Sequence, residues 1–401
     1  ELNDEDYIEL YKYLYPYQGE PLLWIHLNTD FPYNIQGILY FPKLSGRADW
    51  EKGEIKLYCN QVFVSDSIKE IVPRYLLPLR GVIDSTDIPL NVSRSALQTD
   101  RKVRSISSFI SKKIANKLKD LLKNNSEFYA EIWDSISAFV KIGVMEDEKF
   151  SDLALNSIIF ETKLGLNLDK EKEIEKKFLV KFNDKFFTTL ENYANRNKND
   201  DDNKIIYCTD EISQSNALNL WLSNNREVVK ADPLIDAQFI PWLENQNEKY
   251  KFQRVDSEIN DDLEKDSPEI VDKDGKSHTD NIKEIITKAL NNEKVTVKVQ
   301  SLKNNNAPPA LILLPEQMRR INDMGAYMEQ KIPGLPEYHV LLVNKDHPLI
   351  DGLIKFSDKK IILNENDSDE ISLTGRIANH IYTMAKLTVG GLDQKQIVDL
   401  Q

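Results

Sequence analysis

Asn91, Arg94 and Gln98 share one short run, Asn91-Val-Ser-Arg94-Ser-Ala-Leu-Gln98, and together they could do phosphate chemistry. An arginine guanidinium is planar and permanently charged, so it can hold two phosphate oxygens at once. Phosphoryl transfer is accelerated when such a group reaches the γ-phosphate. Asn91 and Ser93 can cap a following helix, because their short side chains accept from its unpaired N–H groups. The same spacing fits an arginine in a surface ion pair and an asparagine that only caps. That arrangement is the commoner one, and spacing alone does not choose between the two.

The flanking sequence supplies parts for a mount. Gly81-Val-Ile83 reads as a buried strand leading in, and Pro89 forces extended backbone at Ile88. After the run, Ile106, Phe109, Ile110, Ile114, Leu118, Leu121 and Leu122 recur at three- and four-residue steps, the period of an amphipathic helix. Upstream, Leu22–Ile25, Ile35–Phe41 and Ile55–Tyr58 running on to Val62–Val64 read as strands, and Pro73–Leu77 as a short helix.

Further along, strand-like and helix-like segments alternate from Lys204 to Val255, which predicts a small βαβαβ unit with a parallel sheet. Residues 256–281 are acidic and poor in apolar groups, as in a linker or loop. A helix from Ile282, a strand at Lys294–Val299 and a helix after Pro315 follow. The last helix is marked by Ile377, Ile381, Met384 and Leu387 and stopped by Gly390-Gly391; Asp393–Gln396 resembles a capping box for another.

Several chemistries are excluded. Gly275-Lys-Ser277 looks like the tail of a phosphate-binding loop, but Ile270 stands where the first glycine must be. None of the five histidines has a partner at metal-ligand spacing, so no metal site is expected. Cys59 and Cys208 are too few and too far apart for a disulfide scaffold, which fits a reducing cytoplasm. The net charge of −13 argues against nucleic acid or anionic lipid as partner, and no apolar run is long enough for a membrane span. A chain that opens on Glu1 rather than Met reads as a processed chain or an excised fragment.

Leu57–Asp66, Ile71–Leu77, Arg80–Ser85 and Ile88–Gln98 closely resemble the middle domain of heat shock protein 90 chaperones, bacterial type. The likeness continues through Phe139–Gly143, Gln317–Ile321, Asp346–Ile350 and Gly390-Gly391. It departs at Ser95-Ala96, where an acidic and a large apolar residue are common, and at Asn60-Gln61, a basic pair in many eukaryotic members.

The resemblance implies a multidomain α/β chain. Its middle domain would have a large α/β part over 1–125, a helical connector over 126–160 and a small βαβαβ part over 161–262. An acidic linker over 263–281 and an α+β C-terminal dimerisation domain over 282–401, its last helix cut short, would follow. Arg94 would reach the γ-phosphate of ATP held by an N-terminal domain that precedes Glu1, with Gln98 assisting and Asn91 supporting the loop. Phe63 would help dock that domain. ATP with magnesium is then the cofactor of the full-length protein, expected to be an ATPase; this fragment alone would bind none and be inactive.

Met318, Met324 and Met328 are three of only five methionines, and methionine suits surfaces that accept varied apolar partners. Their helix could equally pack into a core; the resemblance favours contact with non-native client proteins. Ile377, Ile381, Met384 and Leu387 could bury within their own domain or across a two-fold axis, and the resemblance favours a homodimer. The alternative from another class is a passive scaffold with no part in ATP turnover.

Overall fold

The computed structural model describes residues 2–43, 54–65, 72–87, 101–165, 179–197, 204–257, 263, 277–303, 307–315, 320, 337–358 and 373–392; for 101–103 it describes the backbone alone. The chain divides into two compact units: Glu1–Ile159 with Val180–Glu191, and Phe160–Leu179 with Asn192–Gln401.

The first unit opens with α1 (Asp4–Leu14), whose start is fixed by a capping box between Asn3 and Asp6. A mixed sheet follows, built from β1 (Leu23–Thr29), β2 (Ile35–Phe41), β3 (Ile55–Cys59), β4 (Val62–Ser65) and β5 (Arg80–Ser85) in the order β1-β2-β5-β3-β4. β5 is the central strand, antiparallel to β2 and parallel to β3. Gly81 lets β2 approach: a Cβ there would lie 2.0 Å from the Ile38 carbonyl oxygen, and its φ of 142° suits glycine. Tyr11, Tyr15 and Tyr40 pack between α1 and the sheet. The short helix expected at Pro73–Leu77 is a single 3-10 turn over Arg74–Leu76.

Helices α2 (Arg101–Asn124), α3 (Ser126–Glu146) and α4 (Glu148–Ala154) complete that unit's core. Ile106, Ile110, Ile114 and Leu118 are fully buried, one per turn, as their spacing predicts. Asp147 ends α3 and caps α4 by accepting from Phe150 N (3.1 Å). A hairpin, β7 (Val180–Phe182) and β8 (Lys185–Thr189), turns through Asn183 and Asp184, both with positive φ.

α5 (Leu190–Arg196), most of which belongs to the second unit, precedes the predicted βαβαβ run. That run is β9 (Lys204–Cys208), α6 (Ser215–Ser223), β10 (Val228–Lys230), α7 (Asp236–Gln246) and β11 (Lys251–Arg254). β9 pairs parallel with both β10 and β11, and β6 (Ile159–Lys163) pairs antiparallel with β10. Cys208 ends β9 fully buried, and burial pushes its thiol up to about 11; both cysteines are free.

A three-stranded sheet follows, of β12 (Val295–Gln300), β13 (Ala310–Leu313) and β14 (His339–Asn344), in the order β12-β14-β13. β13 is buried at every residue, as a strand must be when both faces are covered. Ala310, Ile312, Leu341 and Val343 face a core with α8 (His278–Leu290), α9 (Pro348–Asp358) and α10 (Leu373–Thr388). Leu311, Leu313 and Leu342 face the opposite way and join Ile206, Trp221 and Val255 in a second core. Leu263, inside the acidic stretch, is buried in that core, and Ser277 caps α8.

Candidate functional site

Asn91, Arg94 and Gln98 lie outside the described residues, as do Met318, Met324 and Met328. The elements on either side of the Arg94 segment in the chain are described. β5 delivers the chain to it from the middle of the sheet, and α2 receives it. The exit from β5 is clamped. Ser85 Oγ donates to the Asn34 carbonyl (2.7 Å) and accepts from Asp87 N (3.2 Å), and Asp87 Oδ2 accepts from Asn34 N (2.8 Å). On the far side, the Tyr75 hydroxyl lies 3.1 Å from Ser111 Oγ on α2 and 3.0 Å from Asp147 Oδ2. Burial pushes the Tyr75 phenol above its ordinary value. The first turn of α2 carries no acid and holds Arg101, Lys102 and Arg104 in sequence, a choice that the positive helix N-terminus does not favour.

Phe63 sits on β4, the edge strand of the same sheet, and is 53% exposed, as is its neighbour Val62. A ring that size left in water carries unburied apolar area for a partner to cover. It stands edge-on to Tyr58, centroids 5.7 Å apart. The β3–β4 turn is made by Asn60 and Gln61, both left-handed (φ 51° and 62°). Asparagine tolerates that conformation; for a residue like glutamine it costs about 1–2 kcal/mol.

The expected dimer stripe on α10 divides. Ile381 is buried in its own domain's core and Ile377 packs partly against it, while Met384 and Leu387 are 44% and 40% exposed. Successive residues step about 100° round a helix. Gly375, Ala378, Ile381 and Ala385 therefore share one buried face, and Leu373, Met384 and Leu387 an adjacent exposed one. Asn379 Nδ2 donates to the Ala289 carbonyl at the end of α8 (3.0 Å), and the Tyr382 hydroxyl lies 2.9 Å from His339 Nε2 on β14. Gly390, at φ 67°, ends the helix as expected.

Sequence reasoning passed over three carboxylates that the fold puts to use. Asp84 on β5 accepts from Gln61 N (2.9 Å). Glu227 gathers donors from Arg196, Asn197 and Thr162. Glu244 accepts from Phe252 N (2.8 Å) and from Arg320 (2.7 Å), a residue two after Met318 in the chain. Apart from Phe252, eight residues after Glu244, the partners lie more than twenty positions away, so no local spacing could mark them.

By class, then, this is a multidomain α/β chain whose candidate site, among the described residues, is the exposed edge strand β4 of the sheet that has β5 at its centre. The chain belongs to the Hsp90 protein family, whose profile matches residues 1–396. Chaperone protein HtpG of Porphyromonas gingivalis (strain ATCC 33277) is 38% identical over 385 residues, 93% of this chain and 52% of the relative. Chaperone protein htpG of Bacteroides fragilis (strain 638R) is 37% identical over 373 residues, 90% of this chain and 51% of the relative. That of Treponema denticola is 29% identical over 384 residues, covering 90% and 55%. The chain spans about half the length of these curated relatives. No helix among the described residues is long and apolar enough to cross a membrane.

Proposed function

We propose that this chain is the middle and C-terminal portion of an ATP-driven cytoplasmic chaperone of the HtpG type. In this reading Arg94 reaches the γ-phosphate of ATP, bound with magnesium in the protein's own N-terminal domain; Gln98 assists and Asn91 supports the loop. Phe63 docks that domain, Met318, Met324 and Met328 meet non-native clients, and Met384 and Leu387 contribute to a homodimer contact. The domain map is the one expected from the sequence: 1–125, 126–160, 161–262, 263–281 and 282–401. The observation that carries the reading is the family match over residues 1–396, with the motif of Arg94 falling between β5 and α2.

Two experiments on the full-length protein test the client and dimer parts. Serine at Met318, Met324 and Met328 together is expected to weaken suppression of a heat-unfolded protein's aggregation about tenfold, with Tm held within about two degrees. A large fall in Tm would place the methionines in a core. Lysine at Met384 and Leu387 together is expected to raise the dimer dissociation constant at least tenfold, about 1.4 kcal/mol, in sedimentation equilibrium. An unchanged constant would remove those two residues from the interface.

A further inference from the structure

β-sheet pairing sets four side chains of the first unit in one row. Gln36 pairs with Asp84, Asp84 with Tyr58, and Tyr58 with Phe63, so the row crosses β2, β5, β3 and β4. Paired residues in a ladder project from the same face. This is the more open face, since Leu57 and Ile83, one step along, are fully buried on the other. Phe63 ends the row at the sheet edge.

Asp84 acts beyond its own strand. Its Oδ2 accepts from Gln61 N (2.9 Å), the second of the two left-handed residues of the β3–β4 turn. Its Oδ1 is buried and has no hydrogen-bond partner among the described residues. A buried carboxylate oxygen left unpaired is unfavourable. Among the described residues, then, the contact that Asp84 makes through its side chain is the bond to the turn. That turn carries a register shift: Tyr58 pairs with Phe63, but Leu57 pairs with Ser65. The pairing with Tyr58 sets the face from which Phe63 projects, but the unpaired Val64 beside it disrupts the ladder, so pairing holds Phe63 on one side only. The bond from Asp84 ties the turn to β5, and Phe63 follows that turn by two residues and stands edge-on to Tyr58.

We propose that Asp84 is a positioning residue that holds the Phe63 edge in the orientation the docking nucleotide domain meets. This rests on the reading that Phe63 docks that domain.

The test is steady-state ATP turnover by the full-length protein with Phe63→Ala, Asp84→Ala, Asp84→Asn and the Phe63→Ala/Asp84→Ala pair, with Tm measured for each. Phe63→Ala and Asp84→Ala are each expected to lower kcat about fivefold or more at unchanged KM for ATP. Their combination is expected to fall no further, because both remove one contact. Asp84→Asn keeps an acceptor for Gln61 N and is expected to restore at least half the loss. Three results overturn the proposal: parental turnover in Asp84→Ala beside a slow Phe63→Ala, additive losses in the pair, or an Asp84→Asn as slow as the alanine variant. Parental turnover in Phe63→Ala overturns the docking reading and this proposal with it, so the two failures are told apart by that one variant.

Discussion

Replacing Arg94 by Ala in the full-length protein is expected to lower kcat for ATP about a thousandfold, with KM nearly unchanged. An arginine supplied to the γ-phosphate from outside the nucleotide pocket is worth about 10³–10⁵ in rate, because it meets charge that develops only in the transition state. An interaction absent from the ground state leaves substrate binding alone and acts on kcat. Arg94→Lys is expected to recover little, since a single ammonium cannot hold two oxygens in a fixed plane. The described flanks of the Arg94 segment are firmly held: Ser85, Asn34 and Asp87 clamp the exit from β5, and α2 is buried at Ile106, Ile110, Ile114 and Leu118. A misplacement of about 1 Å at such a group can cost about a hundredfold. Parental turnover in Arg94→Ala would leave the passive scaffold as the better reading.

The sequence made the two flanks of this loop legible for a physical reason. Ile106, Ile110, Ile114 and Leu118 repeat with the helix period over a length that no strand reaches, and all four are buried in α2. The βαβαβ run was equally plain, because apolar segments of strand length alternated with helical ones. Other parts left little trace. β6, β7 and β8 are three to five residues long, too short for an alternation to stand out. β13 is apolar throughout, so its period says nothing of which faces it covers; contacts made far along the chain give it two cores. On α10 the apolar spacing predicted one stripe, and the fold buries Ile381 while exposing Met384 and Leu387. Composition cannot distinguish a face covered by its own domain from one left for a partner.

The carboxylates escaped the sequence reading entirely, and Glu227 shows why that matters for stability. Its side chain is 7% exposed and that of Arg196 9%. Arg196 donates through Nε to Oε2 (3.1 Å) and through Nη2 to Oε1 (2.7 Å). Asn197 Nδ2 adds a bond to Oε2 (3.1 Å) and Thr162 Oγ1 one to Oε1 (2.9 Å). Arg196 ends α5 and Asn197 follows it, Thr162 is on β6, and Glu227 just precedes β10, so one carboxylate joins pieces of chain 30 to 65 positions away from it. Tyr193 ties in the same place, donating to the Glu227 carbonyl (3.0 Å) and accepting from Ile206 N (3.1 Å).

Glu227→Ala would remove the buried carboxylate that Arg196 donates to twice; Asn197 keeps the Tyr193 carbonyl (2.9 Å) and Thr162 the Val228 carbonyl (3.3 Å). The expected loss is about 3–5 kcal/mol, the usual cost of breaking a buried ion pair by removing one member. Against a typical total of about 5–15 kcal/mol, that is about a fifth or more of the stability of a domain. Urea unfolding should show it as a lower midpoint at unchanged slope. The pair itself is a weaker stabiliser than that figure suggests. Replacing both members by apolar residues of similar size, Glu227→Leu with Arg196→Met, is expected to recover most of the loss, because no charge is then left without its partner. If the double variant is as unstable as Glu227→Ala, the carboxylate's bonds to Thr162 and Asn197 hold β6 and β10 together on their own. If Glu227→Ala costs under about 1 kcal/mol, water reaches Arg196 freely and the network behaves as a surface pair does.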